Sequence, residues 1–314
     1  MEILVEGLRF ARDRRPVLDI PALRIASGGV TAIFGPNGSG KTTLLRLIAG
    51  LERADAGTIW IGPALVQPGP GAARAAAIAF QEPVFLRGTV RRNLDLAMRL
   101  RNVARDERAE RIGEVARECG IEAVLDRSAW KLSGGEARRA GLARVLALRA
   151  PVTLLDEPLA GIDRIARTHL LDDLPRLLAR FATTTVLVTH DREEAFRLAD
   201  DLVILTGGTI RAAGPKAPLY ASPPDIETAE LLGYTVLFPP GGPVAVPPGG
   251  LRLGAGEVGF DLAVERTIDM GNHLHLLGNI AGRRADLRLP SGTAPPVAGT
   301  LVQVFAASRV ALPR

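Results

Sequence analysis

Residues 30–43 read VTAIFGPNGSGKTT, a short apolar run followed by a glycine-rich segment that ends in a lysine and two threonines. Residues 35–42 fit the pattern G-x-x-x-x-G-K-[ST], residues 30–34 before them predict a buried strand, and residues 43–49 predict a helix that stops at Gly50. Glycines let backbone N–H groups approach phosphate oxygens, and the start of a helix adds positive partial charge. The stretch therefore predicts a phosphate-binding loop, against the alternative of a chance glycine-rich turn.

Within this loop, we expect Lys41 to reach the β- and γ-phosphates of a nucleotide and the Thr42 hydroxyl to ligate Mg²⁺. Lys41 is therefore a candidate catalytic residue as well as a binding residue. The residues of the segment expected to contact the nucleotide are Gly35, Pro36, Asn37, Gly38, Ser39, Gly40, Lys41, Thr42 and Thr43.

An acidic pair ends a second apolar run, in Leu154-Leu155-Asp156-Glu157. The carboxyl ends of strands in an α/β sheet are where ligands bind. Asp156 suits the Mg²⁺ shell, and Glu157 suits a base that polarises the attacking water. Taken alone, such a pair is also common where a strand ends in a loop. Its assignment to metal binding and catalysis therefore depends on the phosphate-binding loop found earlier in the chain.

A serine and two glycines precede a helical run in Leu132-Ser133-Gly134-Gly135-Glu136, with the helix expected from Ala137 to Leu148. This would be a second anion-receptive helix N-terminus in the chain. One nucleotide needs one phosphate loop, so a second makes sense if two chains enclose the nucleotide between them. The alternative is a simple helix N-cap.

The remaining pattern up to about residue 233 alternates apolar strands with helices. Strands are expected at 152–155 and 185–189, and Gly207-Gly208 predicts a hairpin between 202–205 and 209–211. Residues 89 to about 128 predict a helical insertion, with Thr89 as N-cap and a Glu107–Arg111 pair. We expect an α/β parallel core over 1–233 with a helical subdomain at about 86–150.

The composition changes near Phe238, where Pro- and Gly-rich turns occupy residues 239–250. Residues 284–289 alternate apolar and polar side chains, and residues 300–305 are another candidate strand. We expect a small all-β domain over residues 234–314.

Bulk composition restricts the function. The chain of 314 residues is 47% hydrophobic and 23% charged, which is ordinary for a globular protein. Its net charge of +5 comes from scattered arginines, so no nucleic-acid partner is expected.

The single cysteine, Cys119, excludes a disulfide framework within one chain and is expected on a buried helix face. With no signal peptide pattern at the start and no apolar run of ~18 residues, we expect a cytosolic protein that reaches a membrane through partners.

The motifs, in this order, resemble those of ABC-family ATPases over about residues 2–233. Lys41 closes the Walker A loop, residues 132–136 resemble the signature, and Asp156 and Glu157 resemble the Walker B end. Gln81 resembles the Q-loop glutamine, and His190 resembles the switch histidine. Asp163 resembles the D-loop aspartate, and Phe10 resembles the aromatic residue that stacks on adenine. For His190 the alternative is a core histidine, and for Gln81 a surface glutamine.

The resemblance implies a P-loop NTPase fold, ATP and Mg²⁺ as cofactors, and a head-to-tail dimer of this chain that encloses ATP. It implies catalysis by Glu157, His190 and Lys41, and a metal site of Thr42, Gln81 and Asp156. It also implies that Ser133, Gly134, Gly135 and Glu136 contact ATP held by the opposite chain. The sequence departs from the family at Ala137-Arg138-Arg139, where Gln-Gln-Arg is common, and at Ala160-Gly161-Ile162-Asp163, where Ser-Ala-Leu-Asp is common.

The partners implied are transmembrane permease subunits at the inner face of the cell membrane and an extracytoplasmic solute-binding protein. The C-terminal segment resembles TOBE-type domains of importers, and residues 81–90 resemble tungstate-importer ATPases, which favours tungstate or molybdate as the solute. Sugar, polyamine, iron and sulfate are alternative solutes. A non-transport ABC ATPase acting on nucleic acid or the ribosome, and an exporter, are the competing functions. His273 and His275 share one strand face, where an oxyanion or metal site competes with ordinary strand positions.

Overall fold

The computed structural model describes residues 1–69 and 75–313. The chain divides into two compact units, Met1–Lys216 and Ala217–Arg314. The second unit begins before the boundary expected at 233/234. Its early residues contact the C-terminal strands, since Glu230 pairs with Arg283. The Tyr234 hydroxyl also donates to the carbonyl oxygen of Tyr220, which joins two early segments of this unit.

The first unit contains ten strands among its described residues, together with helices α1 to α6. The strands are β1 (Ile3–Arg12), β2 (Arg15–Ile25), β3 (Val30–Phe34), β4 (Ala56–Ile61), β5 (Ala64–Leu65), β6 (Ala76–Ala79), β7 (Val152–Asp156), β8 (Thr184–Thr189), β9 (Asp201–Thr206) and β10 (Thr209–Pro215). The helices are α1 (Lys41–Ile48), α2 (Val90–Arg99), α3 (Arg105–Glu118), α4 (Gly134–Leu146), α5 (Arg164–Phe181) and α6 (Arg192–Leu198), with short 3-10 turns at Glu122–Val124 and Ala129–Lys131.

The main sheet of this unit has the strand order β10-β9-β3-β8-β7-β6. The pairs β3–β8, β3–β9, β7–β8 and β6–β7 are parallel, and only the hairpin strand β10 is antiparallel. Every residue of β7 and β8 is buried, as expected for a parallel sheet covered on both faces. The predicted strands are confirmed, and the carboxyl ends of β3, β7 and β8 meet at one edge.

A second sheet, β2-β1-β4-β5, is antiparallel. Its apolar face shares one core with α1 and with the inner strands of the main sheet, through residues such as Ile3, Ile20, Leu44 and Val188. Because α1 lies between the two sheets, the loop that leads into α1 is held from both sides.

The predicted helical insertion corresponds to α2 and α3. Thr89 caps α2, its side chain accepting from the backbone N–H of Arg92, and Glu107 pairs with Arg111 on α3 as predicted. Cys119 caps the C-terminus of α3 and is fully buried, and burial raises the pKa of its thiol to about 12. A thiol of this kind stays protonated, which favours packing over reactivity.

The second unit contains α7 (Lys216–Ala221), which starts at the unit boundary, and α8 (Ile226–Leu231), followed by short antiparallel strands. The strands are β11 (Thr235–Leu237), β12 (Val244–Val246), β13 (Leu251–Leu253), β14 (Gly259–Asp269), β15 (His273–Ile280), β16 (Arg283–Pro290), β17 (Leu301–Ala306) and β18 (Val310–Ala311). They form the sheets β11-β12-β18 and β13-β17-β14-β15-β16. Burial alternates along β15 and β16, as predicted for residues 284–289.

Within residues 1–69 and 75–313, none of the helices has the combination of length and apolar character needed to cross a membrane.

Candidate nucleotide site

The phosphate-binding loop connects β3 to α1. Gly40 takes the N-cap position of α1 with φ of 98°, and Gly38 has φ of 80°, values that only glycine adopts without strain. Lys41 is the first residue of the helix and is buried. Its Nζ donates to the carbonyl oxygens of Gly35 at 2.9 Å and Pro36 at 2.8 Å, so the ammonium lies inside the curve of the loop.

The loop is packed tightly against its own chain. A Cβ on Gly35 would lie 2.0 Å from the Leu205 carbonyl oxygen, and one on Gly40 would lie 2.6 Å from Leu18 Cδ2. One observation bears on the fit of a phosphate group. Ser39 Oγ is buried and has no hydrogen-bond partner among the described residues. A buried hydroxyl without a partner is costly, and a phosphate oxygen would satisfy it.

Thr42 and Asp156 meet at the edge of the sheet. The Thr42 hydroxyl donates to Asp156 Oδ1 at 2.9 Å, and Asp156 is 4% exposed. Burial raises the pKa of Asp156 and lowers the pKa of Lys41. No group of three or more His, Cys, Asp or Glu side chains among the described residues is arranged to hold a metal. Two protein oxygens nonetheless suit Mg²⁺, which takes its other ligands from water and phosphate.

The Asp156→Asn variant should be at least as heat-stable as the wild type near neutral pH without nucleotide. Because the pKa of Asp156 is raised on folding, its ionised form disfavours the folded state above that pKa. Thermal unfolding measured against pH checks this, and the advantage of Asn should shrink as the pH falls towards about 4, the ordinary value for aspartate. A variant that is less stable at neutral pH and gains stability in acid would contradict the prediction.

Glu157 and His190 lie side by side at the ends of β7 and β8. His190 Nδ1 is 2.9 Å from Glu157 Oε1, and the Glu157 N–H donates to the Val188 carbonyl oxygen. The Glu157 side chain is 14% exposed and that of His190 is 47% exposed. Glu157 has φ of 44°, a left-handed conformation that is strained for a residue with a Cβ. The structure thus brings two of the three predicted catalytic side chains together, next to Asp156, while the third, Lys41, is the first residue of α1.

The segment 133–136 forms a capping box at the start of α4. Ser133 Oγ accepts from the Glu136 N–H at 3.3 Å, and Glu136 Oε2 accepts from the Ser133 N–H at 2.7 Å. The Ser133 N–H and side chain hold the pKa of Glu136 below its usual range. In residues 1–69 and 75–313, no hydrogen bond or ion pair joins this segment to residues 35–43. In the part of the chain that the structure describes, Ser133, Gly134, Gly135 and Glu136 therefore have no polar contact with the Lys41 loop of their own chain.

The other predicted contacts lie on other segments of the chain. Gln81 is exposed just after β6. Phe10 is half-buried at a bulge in β1, with the Arg12 guanidinium carbon 5.8 Å from the ring centroid. Asp163 caps α5, where its Oδ1 accepts from the N–H groups of Ile165 and Ala166, both at 3.0 Å.

Two arginines that the motifs do not mark join the functional segments. Arg138, in α4, is 9% exposed, and its guanidinium donates to the Ala160 carbonyl oxygen between Glu157 and Asp163. Arg167, in α5, pairs with Asp191 beside His190. The sequence does mark Arg138, because glutamine is common at this position in the family. It does not mark Arg167, because the residues that Arg167 contacts lie far along the chain and form no local pattern with it.

The fold and this geometry define a P-loop nucleotide-binding protein. The family model described as ABC transporter matches residues 18–160. The chain is 33% identical over 284 residues to the Fe(3+) ions import ATP-binding protein FbpC of Streptomyces avermitilis, covering 83% of this chain and 82% of that protein. It is 38% identical over 221 residues to the sn-glycerol-3-phosphate import ATP-binding protein UgpC of Rhizobium meliloti, covering 68% and 63%. The chain belongs to the family of ABC transporter ATP-binding proteins.

Two further matches agree with this. The chain is 35% identical over 233 residues to the lactose transport ATP-binding protein LacK of Rhizobium radiobacter, covering 74% of this chain and 64% of that protein. A solved structure of the ATP-binding subunit of an ABC transporter superimposes with a TM-score of 0.63 at 26% identity, covering 70% of this chain and 92% of that one. Several matches span under two thirds of the relative, such as 61% of UgpC from Bartonella bacilliformis. ATP-binding subunits of this family are ATPases, and the predicted ABC ATPase fold is confirmed.

Proposed function

We propose that this chain binds and hydrolyses ATP with Mg²⁺ as the motor subunit of an ABC importer. The observation that carries the proposal is the edge where β3, β7 and β8 end. There the Lys41 loop, the Thr42–Asp156 hydrogen bond and the Glu157–His190 contact lie on adjacent strands. A phosphate cradle, two metal-binding oxygens and a base with its orienting partner are the components that phosphoryl transfer to water requires.

Each group has a distinct role in this proposal. The loop N–H groups and Lys41 hold the phosphates, and Thr42 and Asp156 hold Mg²⁺, which when bound neutralises developing phosphate charge. Glu157 accepts a proton from the attacking water, and His190 orients that carboxylate and the γ-phosphate. Gln81 remains a proposed contact of both the nucleotide and Mg²⁺, Asp163 remains a proposed nucleotide contact, and Phe10 remains the proposed adenine platform.

The direct test is release of inorganic phosphate from ATP by the full chain, alone and with its permease, in the presence and absence of Mg²⁺. Magnesium-dependent release supports the proposal. No release under either condition contradicts it.

We propose further that two chains pair head to tail, so that Ser133 of one chain completes the site at Lys41 of the other. The lack of any hydrogen bond or ion pair between the 133–136 segment and residues 35–43 among the described residues of one chain supports this arrangement. Mixing Ser133→Ala chains with Lys41→Ala chains tests it, because one of the two sites in each mixed pair then has both residues intact. Activity should rise above that of either variant alone. Activity that stays at the level of the separate variants would contradict a shared site.

Ser133→Ala should lose activity beyond what its cap explains. Ser133 and Thr89 cap α4 and α2 through the same type of hydrogen bond, so replacing either by Ala should cost about 1 kcal/mol of stability. Only Ser133→Ala should also lower ATP hydrolysis, by tenfold or more if its hydroxyl contacts the γ-phosphate, with tenfold corresponding to about 1.4 kcal/mol. Thermal unfolding and phosphate release on both variants check this. Equal activity of the two variants would reduce Ser133 to a helix cap.

The partners proposed are permease subunits at the inner face of the membrane and a solute-binding protein outside it. Exposed apolar side chains follow the Gln81 region, with Val84 at 68%, Leu86 at 59% and Trp130 at 67% exposure. The Trp130 ring N–H donates to the Phe85 carbonyl oxygen at 3.0 Å, which ties these side chains into one patch. Exposed apolar patches mark interaction sites, and this one is the proposed permease contact. Copurification of a membrane permease supports a transport role, whereas copurification of ribosomes or nucleic acid favours the competing non-transport function.

The solute is proposed only as a small molecule or ion. The named relatives are described as importing iron and sn-glycerol 3-phosphate or transporting lactose. They lend no support to the preference for tungstate or molybdate, which rests on residues 81–90 alone. The C-terminal unit remains a proposed TOBE-like domain. Binding measurements on the partner solute-binding protein with tungstate, molybdate, ferric ion, sugars and glycerol 3-phosphate would decide among these solutes.

A further inference from the structure

The segment that follows His190 is held by Arg167 of α5. Arg167 Nη2 lies 2.8 Å from Asp191 Oδ2 and 3.4 Å from Glu194 Oε1, and Nη1 lies 3.3 Å from Glu193 Oε2. One guanidinium thus contacts three carboxylates of the segment that follows His190. Only a planar group with several N–H donors can engage carboxylates in this way.

These carboxylates are linked back to the residue before His190. Glu194 is 4% exposed, and its Oε2 accepts from the Thr189 hydroxyl at 2.7 Å. Thr189 Oγ1 in turn accepts from the Asp191 N–H at 3.0 Å, and Asp191 Oδ1 accepts from the Glu194 N–H at 3.1 Å. His190 therefore projects from a closed set of hydrogen bonds that Arg167 completes.

Because Glu194 is buried, this set of hydrogen bonds depends on the positive charge of Arg167. Burial raises the pKa of Glu194, and the neighbouring Asp191 raises it further, while the Thr189 hydrogen bond and Arg167 both lower it. Without the guanidinium, Glu194 and Asp191 would repel each other in a poorly solvated site. The turn would then rearrange, and His190 would move with it.

Arg167 also belongs to the part of α5 that faces the other functional segments. Its N–H donates to the Asp163 carbonyl oxygen at 2.9 Å, one turn earlier in the helix. The preceding residue, Ala166, lies near Gly135, where a Cβ would be 3.7 Å from the Ala166 Cβ. The first turn of α5 is thus in contact with the signature segment on one side and the His190 turn on the other.

We propose that Arg167 is a positioning residue that holds the His190 ring against Glu157 and links the first turn of α5 to ATP hydrolysis. The proposal rests on the proposed ATPase function. Its mechanism is geometric: Arg167 acts on His190 through its contacts with Asp191 and Glu194 and, by way of Glu194, through Thr189.

Arg167→Ala should lower kcat for ATP hydrolysis about ten- to hundredfold with little change in KM, since a displacement of about 1 Å at a reacting group costs up to this much. The matched control is Arg197→Ala. Arg197 in α6 pairs with Asp172 in α5 and with Glu193, so it joins the same two helices and shares one carboxylate with Arg167, but it pairs with neither Asp191 nor Glu194. The control should lose a similar amount of thermal stability and keep its kcat. Arg167→Lys, which keeps the charge, should have intermediate activity.

A double-mutant cycle separates action through His190 from general destabilisation. In a His190→Ala background, adding Arg167→Ala should lower the residual rate less than about twofold, because coupled residues are non-additive. An undiminished further loss in that background, or equal kcat for Arg167→Ala and Arg197→Ala, would overturn the proposal. Absence of phosphate release by the wild type would instead contradict the ATPase function itself.

Discussion

Glu157→Gln is expected to lower kcat for ATP hydrolysis on the order of 10²–10⁴-fold, the loss typical of removing a general base. Glutamine keeps the size of the side chain and a hydrogen bond to His190 Nδ1, so the fold and ATP binding should persist. With hydrolysis blocked, the chain should accumulate as a dimer with ATP. Phosphate release, ATP binding and size-exclusion chromatography with Mg-ATP measure these three properties.

Glu110→Gln is the matched control for this experiment. Glu110 is an exposed residue of α3, so the same isosteric change there should leave kcat and oligomeric state unaltered. Wild-type turnover by Glu157→Gln would remove Glu157 from its role as the base.

Lys41→Ala is the second change with a large expected effect. The Lys41 ammonium is buried within the phosphate loop, and this burial removes it from water and lowers its pKa. Because water does not screen its charge, the ammonium acts strongly on a nearby anion. Losing a charge partner of the transition state should cost on the order of 10²–10³ in kcat/KM, and ATP binding should weaken as well. Steady-state kinetics and nucleotide titration check both effects.

Arg99→Ala serves as the control for charge removal, because Arg99 is exposed in the last turn of α2. It should leave both kinetic constants close to the wild-type values. If Lys41→Ala also retained them, the assignment of residues 35–43 as the phosphate cradle would be wrong.

The core of the site could be predicted because its chemistry is local in sequence. A phosphate-binding loop requires particular backbone conformations and the start of a helix, and the residue types of the eight consecutive positions 35–42 indicate both. The strands 30–34 and 185–189 are short, largely apolar runs, which are typical of strands in a buried parallel sheet. Because ligands bind where the strands of such a sheet end, the proximity of Thr42 to Asp156 could be predicted from these strands.

Other features depend on contacts between distant segments. The start of the second unit at Ala217 reflects pairs such as Glu230 with Arg283, which no local turn signal marks. The Arg167 contacts with Asp191 and Glu194 likewise join residues on two helices. The capping roles of Ser133 and Asp163 were visible in principle, but a cap and a phosphate contact use the same residue types, and only experiment separates them.

The left-handed backbone of Glu157 has a practical consequence for protein engineering. Gly or Asn tolerates such a conformation better than glutamate does, so either substitution would relieve local strain while removing the base. A library of random variants selected only for survival on heating would enrich those replacements and become populated by inactive proteins. A search for a hardier form of this protein should therefore keep codon 157 fixed and randomise elsewhere.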